Sequence, residues 1–139
     1  MAVTARASRR YSRVPMSNFL KSRGAVRVLV VDDYRPLADA FTGMLSGYGY
    51  EARAAYSSAE ALLMSAELEP HALIADAIMP GMDGFQLAAL VKTRFPGCSV
   101  LLASAGYGKA AAKGGRPFKL VDKGALMKEA FLMLERCRL

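Results

Sequence analysis

Apolar residues come in short bursts along this chain, and the bursts alternate between two rhythms. Val26–Val31 is an apolar run of strand length, interrupted only by Arg27. Leu37, Ala38, Phe41, Met44 and Leu45 then recur at helical spacing, with Pro36 suited to a first turn, Asp33 or Tyr34 near the cap, and Gly47 and Gly49 as the stop. Tyr50–Ala54 reads as a short strand. Ser57 and Ser58 are candidate caps for a helix over Ala59–Leu68, which Pro70 closes. Leu73–Ala75 is a buried strand ending on Asp76. Phe85, Leu87, Ala88, Leu90 and Val91 mark a helix that stops before Pro96-Gly97, and Cys98–Ala103 is a strand. Ala105–Arg116 is rich in Gly, Ala and Lys, which predicts a weak or shortened fourth helix. Phe118–Val121 is a strand, and Ala125–Arg136 an amphipathic helix.

Strands alternating with helices predict an α/β fold: a doubly wound, five-stranded parallel sheet with helices on both faces, of flavodoxin-like type with strand order 2-1-3-4-5. In such a sheet the carboxyl ends of the strands border the ligand crevice. Two strands here run into acids, Val28-Leu-Val-Val-Asp32-Asp33 and Ala72-Leu-Ile-Ala-Asp76, and the second is followed by a Pro/Gly-rich turn. Three carboxylates brought into one crevice repel one another unless a hard cation neutralises them, so the pattern predicts a Mg²⁺ pocket. Acids acting only as helix caps would account for one such residue, but not for three that converge.

The order of these pieces resembles the receiver domains of two-component response regulators over about residues 26–137. The resemblance rests on Val-Leu-Val-Val-Asp32-Asp33, on Asp76 followed by Met79-Pro80-Gly-Met-Asp83-Gly84, and on Val100-Leu-Leu-Ala-Ser104-Ala105. It implies that Asp76 is a phosphoacceptor served by a phosphohistidine donor, either a sensor histidine kinase or a histidine phosphotransfer protein. It further implies that Asp32, Asp33, Asp76 and the backbone carbonyl of Ile78 hold Mg²⁺, that Ser104 hydrogen-bonds the phosphoryl group, and that Ala105 keeps access open. Asp83 is expected to cap or precede the third helix.

The family also carries a lysine at the end of its fifth strand, and two positions compete for it. Arg116-Pro117-Phe118 looks like the usual Lys-Pro-aromatic turn with Arg in place of Lys. Only eleven residues (105–115) separate Ser104 from Arg116, too few for a helix, a strand and their turns. Eighteen (105–122) precede Lys123, and Phe118-Lys-Leu-Val-Asp122 leads into it with strand-like alternation, so Lys123 is preferred and Arg116 is the alternative. In that register Gly124 stands where the family usually has proline, and Leu120 where it often has a reporting aromatic ring. Tyr107 is the nearby ring that could substitute. Ile78 cannot orient a water as an amide or carboxylate could, which predicts slow autodephosphorylation.

Composition changes the picture in one respect. The net charge of +7 is concentrated: Arg6, Arg9, Arg10, Arg13, Lys21 and Arg23 lie in residues 1–24 without an acid, leaving thirteen bases against twelve acids elsewhere. Residues 1–24 therefore read as a basic, disordered tail and 25–139 as the receiver domain. Nucleic acid is expected as a partner only through that tail, which also has the look of a transit peptide, or of extra sequence ahead of a start at Met16. The 53% apolar content supports one folded core, and no run reaches the ~18 residues of a membrane span. Cys98 and Cys137 are too few for a disulfide framework and are expected as reduced thiols in a cytoplasmic protein; His71 is expected at a surface or loop.

The expected function is a stand-alone receiver, not an enzyme beyond its own phosphorylation and dephosphorylation, acting on an unknown downstream protein target. A degenerate, phosphorylation-independent interaction module is the alternative. An aspartyl phosphatase is disfavoured, because Ala77 and Ile78 follow Asp76 where such an enzyme needs a second acid.

Overall fold

The computed structural model describes residues 24–112 and 117–138, without the side chains of Tyr107, Lys109 and Ala112. The basic segment up to Arg23 and the alternative base Arg116 lie outside the described residues.

Five parallel strands, β1 (Arg27–Val31), β2 (Glu51–Ala55), β3 (Ala72–Asp76), β4 (Ser99–Ser104) and β5 (Lys119–Asp122), form one sheet in the order β2-β1-β3-β4-β5. Between them run α1 (Arg35–Gly47), α2 (Ser58–Leu68), α3 (Gly84–Arg94), α4 (Tyr107–Ala112) and, after a 3₁₀ turn at Lys123–Ala125, α5 (Leu126–Cys137). The doubly wound fold and strand order expected from the sequence are present, and each boundary falls within a few residues of its expected place. The fourth helix is the shortened one: it has six residues.

The side-chain alternation of the strands creates two cores. Val28 and Val30 of β1 and Ala72 and Ile74 of β3 pack with Phe41 and Leu45 of α1 and Leu134 of α5. The alternate residues, Leu29, Val31, Leu73 and Ala75, pack with Leu68 of α2 and Leu87 and Val91 of α3. Burial of each large side chain contributes about 1.5–3 kcal/mol, so β1 and β3, buried on both faces, form a rigid base beneath the crevice. β1 and β3 pair in register, with Val31 beside Ala75, so the next residues, Asp32 and Asp76, emerge side by side where the strand order reverses.

Local chemistry fixes the ends. Ser57 caps α2 by accepting from the Glu60 amide, and α2 ends with Glu69 at φ 53°, in the left-handed region. Asp83 caps α3 in a reciprocal box with Gln86, the role expected for it. His71, half-buried ahead of β3, accepts the Arg27 amide on Nδ1 at 2.9 Å. Cys98 is buried, both cysteines are free thiols, and burial pushes the Cys98 thiol up to about 12. No helix among the described residues is long and apolar enough to cross a membrane.

Candidate phosphoryl-acceptor site

The crevice at the carboxyl edge of the sheet collects Asp32, Asp33 and Asp76. One carboxylate oxygen from each lies within 4.8 Å of the others. Asp32 is buried, Asp76 half-buried and Asp33 exposed, so the cluster opens to solvent on one side. Backbone amides orient two of the acids: the Tyr34 amide donates to Asp32 Oδ1 at 3.0 Å, and the Ile78 amide to Asp76 Oδ1 at 3.2 Å. An all-oxygen set of hard donors, gathered at this spacing from two strand ends, fits Mg²⁺.

Lys123 reaches the same crevice. Its Nζ is 2.8 Å from Asp32 Oδ2 and 3.5 Å from Asp76 Oδ2. Burial alone would lower the ammonium pKa, but the Asp32 hydrogen bond and the charges of Asp76 and Asp32 outweigh it and raise it. Burial holds the Asp76 carboxyl above the usual carboxylate range; the Lys123 charge and the Ile78 amide pull it down, while the Asp32 charge adds to the rise. The acid at the end of β3 is thus more basic than a free aspartate, and a lysine already faces it.

Ser104 closes β4. It is 2% exposed, and its Oγ accepts the Gly106 amide at 3.1 Å, which leaves the hydroxyl proton available to another acceptor. Ala105 beside it is exposed. Lys123 lies just past β5, where Ser104 pairs with Asp122, so the two candidate phosphoryl-binding residues stand on adjacent strand ends. Leu120 is half-buried against the core rather than presented as a switch residue.

Two contributors escape a reading of the sequence. A Cβ on Gly84 would overlap the carbonyl oxygen of Asp76 and sit 2.9 Å from Ala77 Cα, so only glycine lets α3 start against the backbone of the acid. Ser58, which the sequence offers as a cap, instead donates its hydroxyl to the Met82 carbonyl at 2.8 Å and ties α2 to the loop after Asp76. Small residues flanked by turn signals hint at such contacts, but the partners are distant in sequence.

An open α/β sheet with strand order 2-1-3-4-5, and with an acid-lined crevice and a facing lysine at its switch point, is of the flavodoxin-like class. Within that class, the model of the response regulator receiver domain matches residues 28–123, and the chain belongs to that family, the signal-receiving domains of two-component systems. It is 43% identical over 84 residues to the response regulator protein FleR of Pseudomonas aeruginosa, covering 60% of this chain and 18% of that protein. It is 35% identical over 81 residues to the response regulator MprA of Mycobacterium bovis, covering 58% of this chain and 35% of that protein. The chain therefore spans only a minor part of these relatives. The response regulator TrrA of Thermotoga maritima, solved in complex with Mg²⁺-BeF, superposes with a TM-score of 0.70 at 23% identity over 81% of this chain and 98% of that one, a likeness of fold.

Proposed function

We propose that residues 25–139 form a receiver that takes a phosphoryl group on Asp76 from the phosphohistidine of a sensor histidine kinase or a histidine phosphotransfer protein. The reaction is Mg²⁺-dependent and cytoplasmic, and the result is altered binding to a downstream protein target. The observation that carries this reading is the convergence of Asp32, Asp33 and Asp76 within 4.8 Å, with Lys123 facing them.

Asp32, Asp33, Asp76 and the Ile78 carbonyl would hold the ion, which when bound supplies the charge neutralisation that lets an anionic nucleophile meet an anionic phosphoryl group. An Asp76 oxygen attacks phosphorus in line; the P–N bond of the donor breaks, and the imidazole leaves with that electron pair. The product is an acyl phosphate. Lys123 then directs its N–H donors to the phosphoryl oxygens, and Ser104 donates the hydroxyl proton that its acceptance from Gly106 leaves free. Ala105, without a bulky side chain, leaves the approach open to the donor.

Beryllofluoride binding tests this reading. With Mg²⁺ present, wild type should show saturable NMR shifts at Ser104, Gly106 and Lys123, and Asp76→Asn should show none. Equal shifts in both proteins would refute Asp76 as the acceptor. Normal capture of a partner by a chain that never binds beryllofluoride would instead identify a phosphorylation-independent module.

A further inference from the structure

The chain solves the placement of Lys123 in its own way. β5 has only four residues and, among the described residues, pairs on one side alone, with β4. The residue after Lys123 is Gly124, the most permissive one available. A long side chain on so thin a support needs its backbone held by something else.

Asp122 supplies the hold. It caps the 3₁₀ turn Lys123–Ala125 from an extended conformation (φ −69°, ψ 145°), and its Oδ2 accepts the Gly124 amide at 2.8 Å. A carboxylate accepting a backbone N–H at a helix start is a charge-assisted bond, stronger than a neutral one. Gly124 is matched to it: a Cβ there would lie 2.9 Å from the same Asp122 oxygen, so the carboxylate that accepts the amide would have to shift. Proline at 124 would offer no N–H and would disfavour the helical turn that starts at Lys123. The cap and a proline are therefore alternative ways of fixing one turn, and this chain has the cap.

We propose that Asp122 is a positioning residue for Lys123, its carboxylate and the bare Gly124 amide acting as one unit that aims the lysine into the crevice. The inference rests on the proposed role of Lys123 at the phosphoryl group. Asp122 itself is exposed, is not among the clustered acids, and touches no reacting atom.

The test uses the full chain, Mg²⁺ and acetyl phosphate, with Asp76 phosphorylation followed by intact mass and folding checked by thermal melts. Asp122→Ala should slow the reaction about fivefold, the scale of one lost N-cap, and Asp122→Asn, which keeps a side-chain acceptor, should restore most of the rate. In a Lys123→Met background Asp122→Ala should slow nothing further, and Gly124→Ala should add nothing to Asp122→Ala. Equal slowing with and without Lys123 would reduce Asp122 to a general structural role and overturn the proposal. So would a wild-type rate in Asp122→Ala. The side-chain NMR signals of Lys123 in the unphosphorylated protein give an answer that does not depend on phosphorylation. They should move in Asp122→Ala and stay in Asp122→Asn, and signals unmoved by Asp122→Ala overturn the proposal. If wild type takes no phosphoryl group, or Lys123→Met reacts as fast as wild type, the functional reading fails, and the NMR signals alone judge the positioning.

Discussion

Lys123 Nζ lies closer to Asp32 Oδ2, at 2.8 Å, than to Asp76 Oδ2, at 3.5 Å. The lysine is thus the counter-ion of an acid proposed to hold Mg²⁺ as much as of the acceptor. An ammonium held against these carboxylates repels a divalent cation that binds the same acids. Lys123→Met should therefore tighten Mg²⁺ binding about threefold or more, a modest gain because the ammonium is partly solvated and screened. The same variant should lose at least ~tenfold in phosphorylation rate, because it lacks the donor at the phosphoryl group. Calorimetric titration and intact-mass kinetics read the two effects separately. Arg116→Ala should change neither; a larger effect there than at Lys123 would move the pocket base to position 116.

Gly84 and Gly43 should respond oppositely to the same change. Gly84→Ala puts a methyl into the backbone of Asp76 and Ala77, where nothing flexible can give way, and should destabilise the fold by about 1–3 kcal/mol. Gly43 lies within α1 with open space around its Cβ position, so Gly43→Ala should stabilise by roughly 0.5–1 kcal/mol. Denaturant melts of the two variants decide it, and a neutral Gly84→Ala would mean that α3 can move away from the acid.

Stability should fall on mild acidification through His71. Burial, with the charge of Arg27, lowers its pKa below the usual value, and its neutral Nδ1 accepts the Arg27 amide. A histidine with a depressed folded-state pKa binds fewer protons when folded. Its stabilisation is present above the unfolded-state pKa of about 6.5 and is lost as pH falls below that value. Thermal melts between neutral and mildly acidic pH should show a drop that is smaller in His71→Gln. An identical drop in both proteins would place the pH sensitivity elsewhere.

The acyl phosphate should be long-lived. Ile78, two residues after Asp76, is apolar and packs against the core, and it has no group to orient an attacking water. A lifetime of minutes or longer is expected after small-molecule phosphorylation, with Ile78→Asn shortening it about tenfold, below the range of a full general base. Decay of wild type within seconds would contradict this account of the site.

The fold was legible because its signals are local. Apolar runs such as Val28–Val31 and Leu73–Ala75 end on acids, and the strand-to-helix rhythm leaves one economical topology. The third strand's acid and the first strand's pair are placed together by the sequence itself, since parallel order alone brings their tips side by side. Counting residues also prefers Lys123 to Arg116; Lys123 lies against Asp32 and Asp76, and Arg116 is outside the described residues. What stayed hidden depends on contacts across the fold. Ser58 looks like a second cap until its hydroxyl is seen on Met82, 24 residues on. Gly84 reads as a turn residue until the Asp76 carbonyl is found against it. The lean of Lys123 toward Asp32 reflects a balance of charges within a few ångströms, which spacing cannot express.

The central claim is that acids from two strand tips let Asp76 accept phosphorus with the help of a divalent ion. Intact-mass analysis of wild type and Asp76→Asn, each incubated with acetyl phosphate in Mg²⁺ or in excess chelator, tests it most directly. One hydroxylamine-labile phosphoryl adduct should form on wild type in Mg²⁺ alone and be absent from the other three samples. An adduct that persists in chelator, or that forms equally on Asp76→Asn, would contradict it.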